Sequence, residues 1–291
     1  MTECFVFLPQ MRMGLDVLLG RARAAEAAGF TGLALMDHLS PPLALDQPMY
    51  EAMTTAAWLL AGTTTLKVGH LVLCDGFRHP AVLAREAVTL DHASGGRFEL
   101  GIGSGSVDAE FATFGVTPTS ARDRTDRLSE TLQVVRRLWA GETFDFDGRF
   151  HHLAAAAQNP LPLERIPVVV GGAGPRTIAL VAEHADWWNI PVHRLDRYDE
   201  LRPAVGAARP SLQQMISFIP DESRRAEITE LTNRRFRSFG SGLVVGNAEE
   251  LTTHLNGLVD RGVERFYLWF TDFALPDTLH AFAEQVFPDL H

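Results

Sequence analysis

Short apolar runs alternate with longer helical stretches along the whole chain, and that alternation limits the folds open to it. CFVFL (4–8), GLALMDH (32–38), LKVGHLVL (66–73), RFELGIG (97–103), IPVVVGG (166–172), DWWNIP (186–191), QQMISFIP (213–220) and ERFYLWF (264–270) read as eight strands. The segments between them carry helical spacing. In residues 121–139, for example, Leu128, Leu132, Val135 and Leu138 recur every three or four positions. Residues 196–208 read as a helix between the sixth and seventh strands, and a charged helix follows the seventh. Strands separated by helices pair in parallel through right-handed crossovers. Eight such units predict an α/β fold, a (β/α)₈ TIM barrel rather than an open sheet. Residues 104–120, after strand four, and 142–164, before strand five, exceed what a plain barrel needs and read as insertions. With no linker or fixed-period repeat, residues 1–291 are expected to form one domain.

Composition narrows the partners. The net charge is −10 with no basic run, which argues against nucleic acid. No apolar run reaches the roughly 20 residues of a membrane span. Two cysteines, Cys4 and Cys74, make neither a disulfide framework nor a metal site, and they fit a reducing cytoplasm. The first residues, MTECFVFLPQ, lack the pattern of a signal peptide.

In a barrel, chemistry sits at the carboxyl ends of the strands. Asp37 and His38 follow strand two there, a titratable pair in which the histidine can move a proton near neutral pH; a buried structural pair is the other reading. Cys74 and Asp75 follow strand three. After strand four comes GSGS. Its Gly101-x-Gly103 lacks the third glycine of a dinucleotide fingerprint, since Ser106 stands there, so the loop either lets backbone approach a flat ligand or merely turns the chain. GGAGPRT (171–177) places glycines before a helix opened by Pro175, a start whose N–H groups suit a phosphate, with Arg176 adding charge; the plain alternative is a tight turn. His151, His152, His184 and His193 lack ligand spacing, and no metal site is expected.

Taken together, these residues resemble the bacterial luciferase-like superfamily of flavin- and coenzyme F420-dependent oxidoreductases. The resemblance covers almost the whole chain: AxxAEAAGF (22–30), Asp37-His38, Arg78-His79-Pro80, TLDxxSGGR (89–97) running into GxGxG (101–105), ExLxVVRxLW (130–139), FDGRF (146–150), GGAGPRT and ADxWN (185–189). It implies a TIM barrel whose mouth holds the cofactor ring against Leu71, Val72 and Cys74, with a non-prolyl cis peptide at Leu71-Val72. Ser104 and Gly105 would meet the cofactor tail, and Gly171, Gly172, Ala173, Gly174 and Arg176 its phosphate. Asp37 would lie beside the deazaflavin and His38 would serve proton transfer to substrate. The implied activity is hydride transfer between F420 and a small, fairly apolar molecule. FMN with a monooxygenase reaction is the alternative, and a non-catalytic flavin-binding protein the third reading. A homodimer and a cofactor reductase are the implied partners. The family's sugar-phosphate dehydrogenases carry a tryptophan shortly after Asp-His and a glutamate after the G-x-G. This chain has Ser40-Pro41-Pro42 and Ser106 instead, so that substrate is not implied.

Overall fold

The computed structural model describes residues 2–42, 46–116, 120–236, 240 and 242–291; residues 117–119 of the first insertion lie outside them. Its strands are β1 (Glu3–Phe7), β2 (Gly32–Leu35), β3 (Lys67–His70), β4 (Leu73–Cys74), β5 (Leu100–Gly103), β8 (Val168–Gly171), β9 (Trp187–Ile190), β10 (Arg209–Phe218), β11 (Leu243–Gly246) and β12 (Arg265–Phe270), with a separate hairpin of β6 (Phe144–Asp147) and β7 (His152–Ala156). The main helices are α1 (Leu15–Ala27), α2 (Ala52–Gly62), α3 (Pro80–Ser94), α4 (Asp108–Thr113), α5 (Ala121–Trp139), α6 (Pro175–His184), α7 (Tyr198–Leu201), α8 (Arg225–Phe236), α9 (Ala248–Val259) and α10 (Pro276–Val286).

The sheet runs β3-β2-β1-β12-β10-β9-β8-β5-β4, all parallel, and a bridge from Val68 to Phe98 joins its two ends. This is the TIM barrel the alternation predicts. Strand three is broken at a cis Leu71–Val72 peptide into β3 and β4, the place the resemblance indicated. The insertions appear as α4 and as the β6–β7 hairpin. Helix α5 spans the residues its periodicity marked. Leu128, Leu132, Val135 and Leu138 are all buried, and the Ser120 hydroxyl caps its start by accepting from the Asp123 N–H at 3.1 Å.

Three expectations need correction. The predicted helix over 196–208 is only the one-turn α7 flanked by 3₁₀ turns, because Pro203 supplies no N–H and Gly206 adopts φ +62°. Of the predicted strand 97–103 only Leu100–Gly103 is continuous strand, Phe98 making an isolated bridge to Val68. The unit β11–α9 was missed: its strand is four residues long and pairs only with the far half of β10. The signal for it was Asn247 with Glu250, which form a capping box at the start of α9.

Gly101 has a role at the closure. A Cβ there would lie 1.7 Å from the His70 carbonyl oxygen, so only glycine lets β3 and β5 meet. His70 itself is buried, its Nε2 bonded to the Ala52 carbonyl at 3.2 Å, and burial lowers its pKa from 6.5 to about 4. Between those values the unfolded chain binds the proton that the folded chain refuses. Stability from this residue is therefore complete above pH 6.5 and lost progressively as pH falls toward 4. Urea unfolding at pH 7.5 and pH 5 should differ by about 2 kcal/mol more in the wild type than in His70→Gln. An identical difference in both proteins would remove His70 as the cause.

Candidate active site

The carboxyl ends of the strands enclose two adjoining cavities. The first, of about 380 Å³, is walled by Asp37, His38, Leu71 to Cys74, Gly103 to Ser106, Glu110, Phe111, Gly171 and Gly172, among others. It occupies the β2, β4, β5, β8 and β9 side of the mouth. A second chamber of about 640 Å³ lies on the β12, β1 and β2 side. Met36, His38, Leu71 and Gln213 line both. Leu71, Val72, Cys74, Ser104, Gly105, Gly171 and Gly172 therefore converge on one cavity, while Ala173, Gly174 and Arg176 fall outside its lining.

Asp37 is buried and its carboxylate is committed. It accepts from the Cys74 N–H at 2.7 Å and from both terminal nitrogens of Arg78, one of them at 3.1 Å. Arg78 is fixed in turn. Its other partner is Glu51, and Arg127 of α5 donates to its carbonyl and to the Asp75 carboxylate. Asp37 is thus a brace between strands two and three rather than a loose acid. The Arg78-His79-Pro80 triplet carried this brace in the sequence, but its partner was not apparent. Burial pushes the neighbouring Cys74 thiol up to about 12, so it stands in the wall as a neutral group.

His38 is placed differently. Its side chain is 22% exposed to the cavities, and Nδ1 lies 3.0 Å from Glu110 Oε2 on α4. Glu110 also accepts from the N–H groups of Leu39 and Ser40, the latter at 3.2 Å. A carboxylate bonded to two backbone donors is an acceptor, so Nδ1 carries the hydrogen and Nε2 is left to give or take a proton. Sequence reasoning missed Glu110. Its helix has six residues, and no spacing links it to a histidine 72 positions earlier.

The glycine loops separate in role. Gly105 has φ +78°, and a Cβ there would meet Phe111 Cζ at 2.5 Å and Cys74 Sγ at 2.7 Å; the slot exists because that atom is missing. Gly105→Ala should lower unfolding stability by about 1–3 kcal/mol, from the left-handed backbone and the two collisions. An unchanged denaturation midpoint would mean that Phe111 swings aside and the slot is soft. At the second loop, Gly174 precedes α6 without a side-chain cap, and among the described residues no side chain claims the N–H groups at the helix start. Arg176 is turned away from that role and paired with Asp126 of α5. Trp188 does position the loop. Its Nε1 donates to the Gly172 carbonyl at 2.8 Å, and its ring stacks on Tyr198.

Gln10 completes the frame. Fully buried after β1, its amide donates to the Met36 carbonyl at 2.6 Å and to that of Tyr50 at 3.1 Å, and accepts from the Met36 N–H. It thereby ties the loop after β1 to the strand end that carries Asp37 and His38.

A closed parallel barrel, an interrupted third strand and a paired histidine at the mouth define a small-molecule enzyme architecture. Residues 3–228 match the luciferase-like monooxygenase family model, and the chain belongs to that family. It is 31% identical over 176 residues to an F420-dependent glucose-6-phosphate dehydrogenase of Microbacterium testaceum, covering 60% of this chain and 52% of that one. It is also 31% identical over 187 residues to an F420-dependent hydroxymycolic acid dehydrogenase of Mycobacterium tuberculosis, covering 63% and 51%. The chain thus spans about half the length of these curated relatives. Among solved structures, an F420-dependent secondary alcohol dehydrogenase in complex with an F420-acetone adduct superposes with a TM-score of 0.82 at 20% identity, covering 100% of this chain and 99% of that one; this is a likeness of fold. No described helix is long and apolar enough to cross a membrane.

Proposed function

We propose that the protein is a coenzyme F420-dependent oxidoreductase acting on a small, largely apolar alcohol or carbonyl compound. The observation that carries this reading is the position of His38, held by Glu110 in the wall common to both cavities. One cavity suits a flat cofactor and the other a substrate, and the histidine stands where they meet.

The residues fit such a cofactor. The slot that a Gly105 Cβ would fill matches a ring edge or ribityl chain, and the uncapped start of α6 beyond Gly171 and Gly172 matches a phosphate. Leu71, Val72, Cys74, Ser104 and Gly105 would hold the ring side, and Gly171 through Gly174 the phosphate side. F420, when bound, supplies a two-electron hydride acceptor or donor. The protein does the rest. Asp37, through Cys74 and Arg78, fixes the wall against which the ring lies. His38 Nε2 takes the proton from a substrate hydroxyl, or returns it, while Glu110 keeps Nδ1–H oriented. Apolar side chains in the second chamber keep water from the reacting atoms.

The F420-dependent relatives favour this cofactor over FMN. Ser106, where the family's sugar-phosphate dehydrogenases have glutamate, argues against a sugar phosphate as substrate. A cytoplasmic setting, a homodimer and a reductase that restores the cofactor belong to the same proposal; Cys4 and Cys74 are both buried free thiols. The test is fluorescence-monitored binding of F420 and of FMN to the purified protein. Tight F420 and weak FMN binding is the expected result. The reverse order would replace the proposal by the monooxygenase reading, and binding of neither would overturn the cofactor assignment.

A further inference from the structure

The chamber on the β12–β1–β2 side has an unusual composition for this chain. Apolar residues, among them Phe7, Pro9, Met11, Pro42, Trp269 and Phe273, make most of its wall. Two cations complete it, Arg12 and Arg235, and no aspartate or glutamate is among the lining residues. The whole molecule carries a net charge of −10, so a carboxylate-free, doubly positive chamber is a local reversal. Most other arginines at the barrel mouth are neutralised: Arg78 by Asp37 and Glu51, Arg127 by Asp75, Arg176 by Asp126. Arg12 and Arg235 form no ion pair with any described carboxylate.

Arg12 is also placed by the backbone. It has φ +63°, a conformation that a non-glycine residue holds only when its surroundings impose it. The imposing contacts are visible. Met11 bridges to Met49, the Arg12 N–H donates to the Pro48 carbonyl at 3.0 Å, and buried Gln10, two positions earlier, is bonded to the Met36 and Tyr50 carbonyls. Arg235 comes from the last turn of α8, on the other side of the chamber. His38 lines the chamber where it adjoins the cofactor cavity.

From this geometry we propose the substrate class: an apolar molecule with a single carboxylate, the anion held by Arg12 and Arg235 and the reacting carbon at His38. The inference rests on the oxidoreductase reading above for the word substrate, but the binding preference stands by itself. An apolar wall orders the chain of the ligand without direction. The two guanidinium groups, one from each side of the chamber, supply the direction, since charge-assisted bonds to a carboxylate are the stronger polar contacts. A neutral alcohol of the same length would bury the same surface and lose those charge-assisted bonds.

The experiment is calorimetric titration of octanoate and of 1-octanol into the cofactor-free protein and into the Arg12→Gln/Arg235→Gln double variant. Both arginines are exposed, so the variant should fold. The wild type should bind octanoate on the order of tenfold more tightly than octanol, and the double variant should lose that preference while keeping its octanol affinity. Equal binding of the two by the wild type, no octanoate binding, or a preference that survives in the variant overturns the inference. So does a variant that loses F420 affinity instead, for the arginines would then serve the cofactor. If F420 fails to bind while the octanoate preference holds and depends on the two arginines, the oxidoreductase reading falls and this one stands.

Discussion

His38→Ala is expected to lower turnover with F420 by a factor on the order of 10²–10⁴, the usual worth of a positioned acid–base group, while leaving F420 affinity nearly unchanged. The argument is geometric. His38 has one nitrogen spent on Glu110, 3.0 Å away, and lines both cavities with the remainder of its ring. Glu110→Gln should act through the histidine. A glutamine must serve Nδ1 and the N–H groups of Leu39 and Ser40 with one oxygen and one NH₂ where the carboxylate offered two acceptors. Turning its NH₂ to Nδ1 reverses the tautomer and removes the basic Nε2; turning it to the backbone sets donor against donor. Its turnover should therefore fall at least tenfold, and its pH profile should lose the limb that reports the histidine. A purely structural role for Glu110 would lower stability without altering that profile. Unchanged turnover in His38→Ala would remove the proton-transfer assignment altogether.

The largest expected effect on stability lies at the opposite end of the barrel, where Arg265→Met should cost about 3–5 kcal/mol. Arg265 opens β12 and is fully buried. Its guanidinium donates to Glu99 at 2.6 and 3.1 Å, to Glu3 at 2.8 Å and to the Tyr267 hydroxyl at 3.0 Å. It also lies 3.7 Å from the Trp187 ring centroid and 4.2 Å from that of Phe5. Removing it leaves buried Glu99 with only Lys67, 3.6 Å away, among the described residues to balance it. Methionine replaces the volume but not the charge. Adding Glu99→Gln to Arg265→Met should recover about half of the loss, because the stranded charge goes too. Denaturant unfolding measures both. A loss below about 1 kcal/mol would mean that water reaches Glu99 and the network is not sealed.

Neither network was visible as a network in the chain. Glu3, Glu99 and Arg265 are scattered across its full length, and only the parallel register that sets Glu3 beside Arg265 brings them together. Asp37 and Arg78 meet where strands two and three end, and Glu110 reaches His38 from α4 in the insertion after β5. Arg176 illustrates the converse: its place beside a phosphate loop suggested an anion ligand, and Asp126 of α5 claims it.

What the sequence determined by itself is everything that depends on periodicity and local chemistry. Eight alternations of strand and helix call for parallel pairing, because a helix after each strand returns the chain to the same edge. The count of eight fits a closed barrel better than an open sheet. The helix starts at Pro80 and Pro175 and the span of α5 follow from local backbone and capping preferences. The β11–α9 unit was the exception, since a four-residue strand carries too little pattern to be read alone. What only the tertiary structure decided is which charged groups neutralise one another and which remain to act. That choice depends on distances of a few ångströms between residues far apart in sequence, where Coulomb and hydrogen-bond energies change steeply. It left Asp37 as a brace, gave His38 its carboxylate, and kept Arg12 and Arg235 free of any described carboxylate at the edge of an apolar chamber.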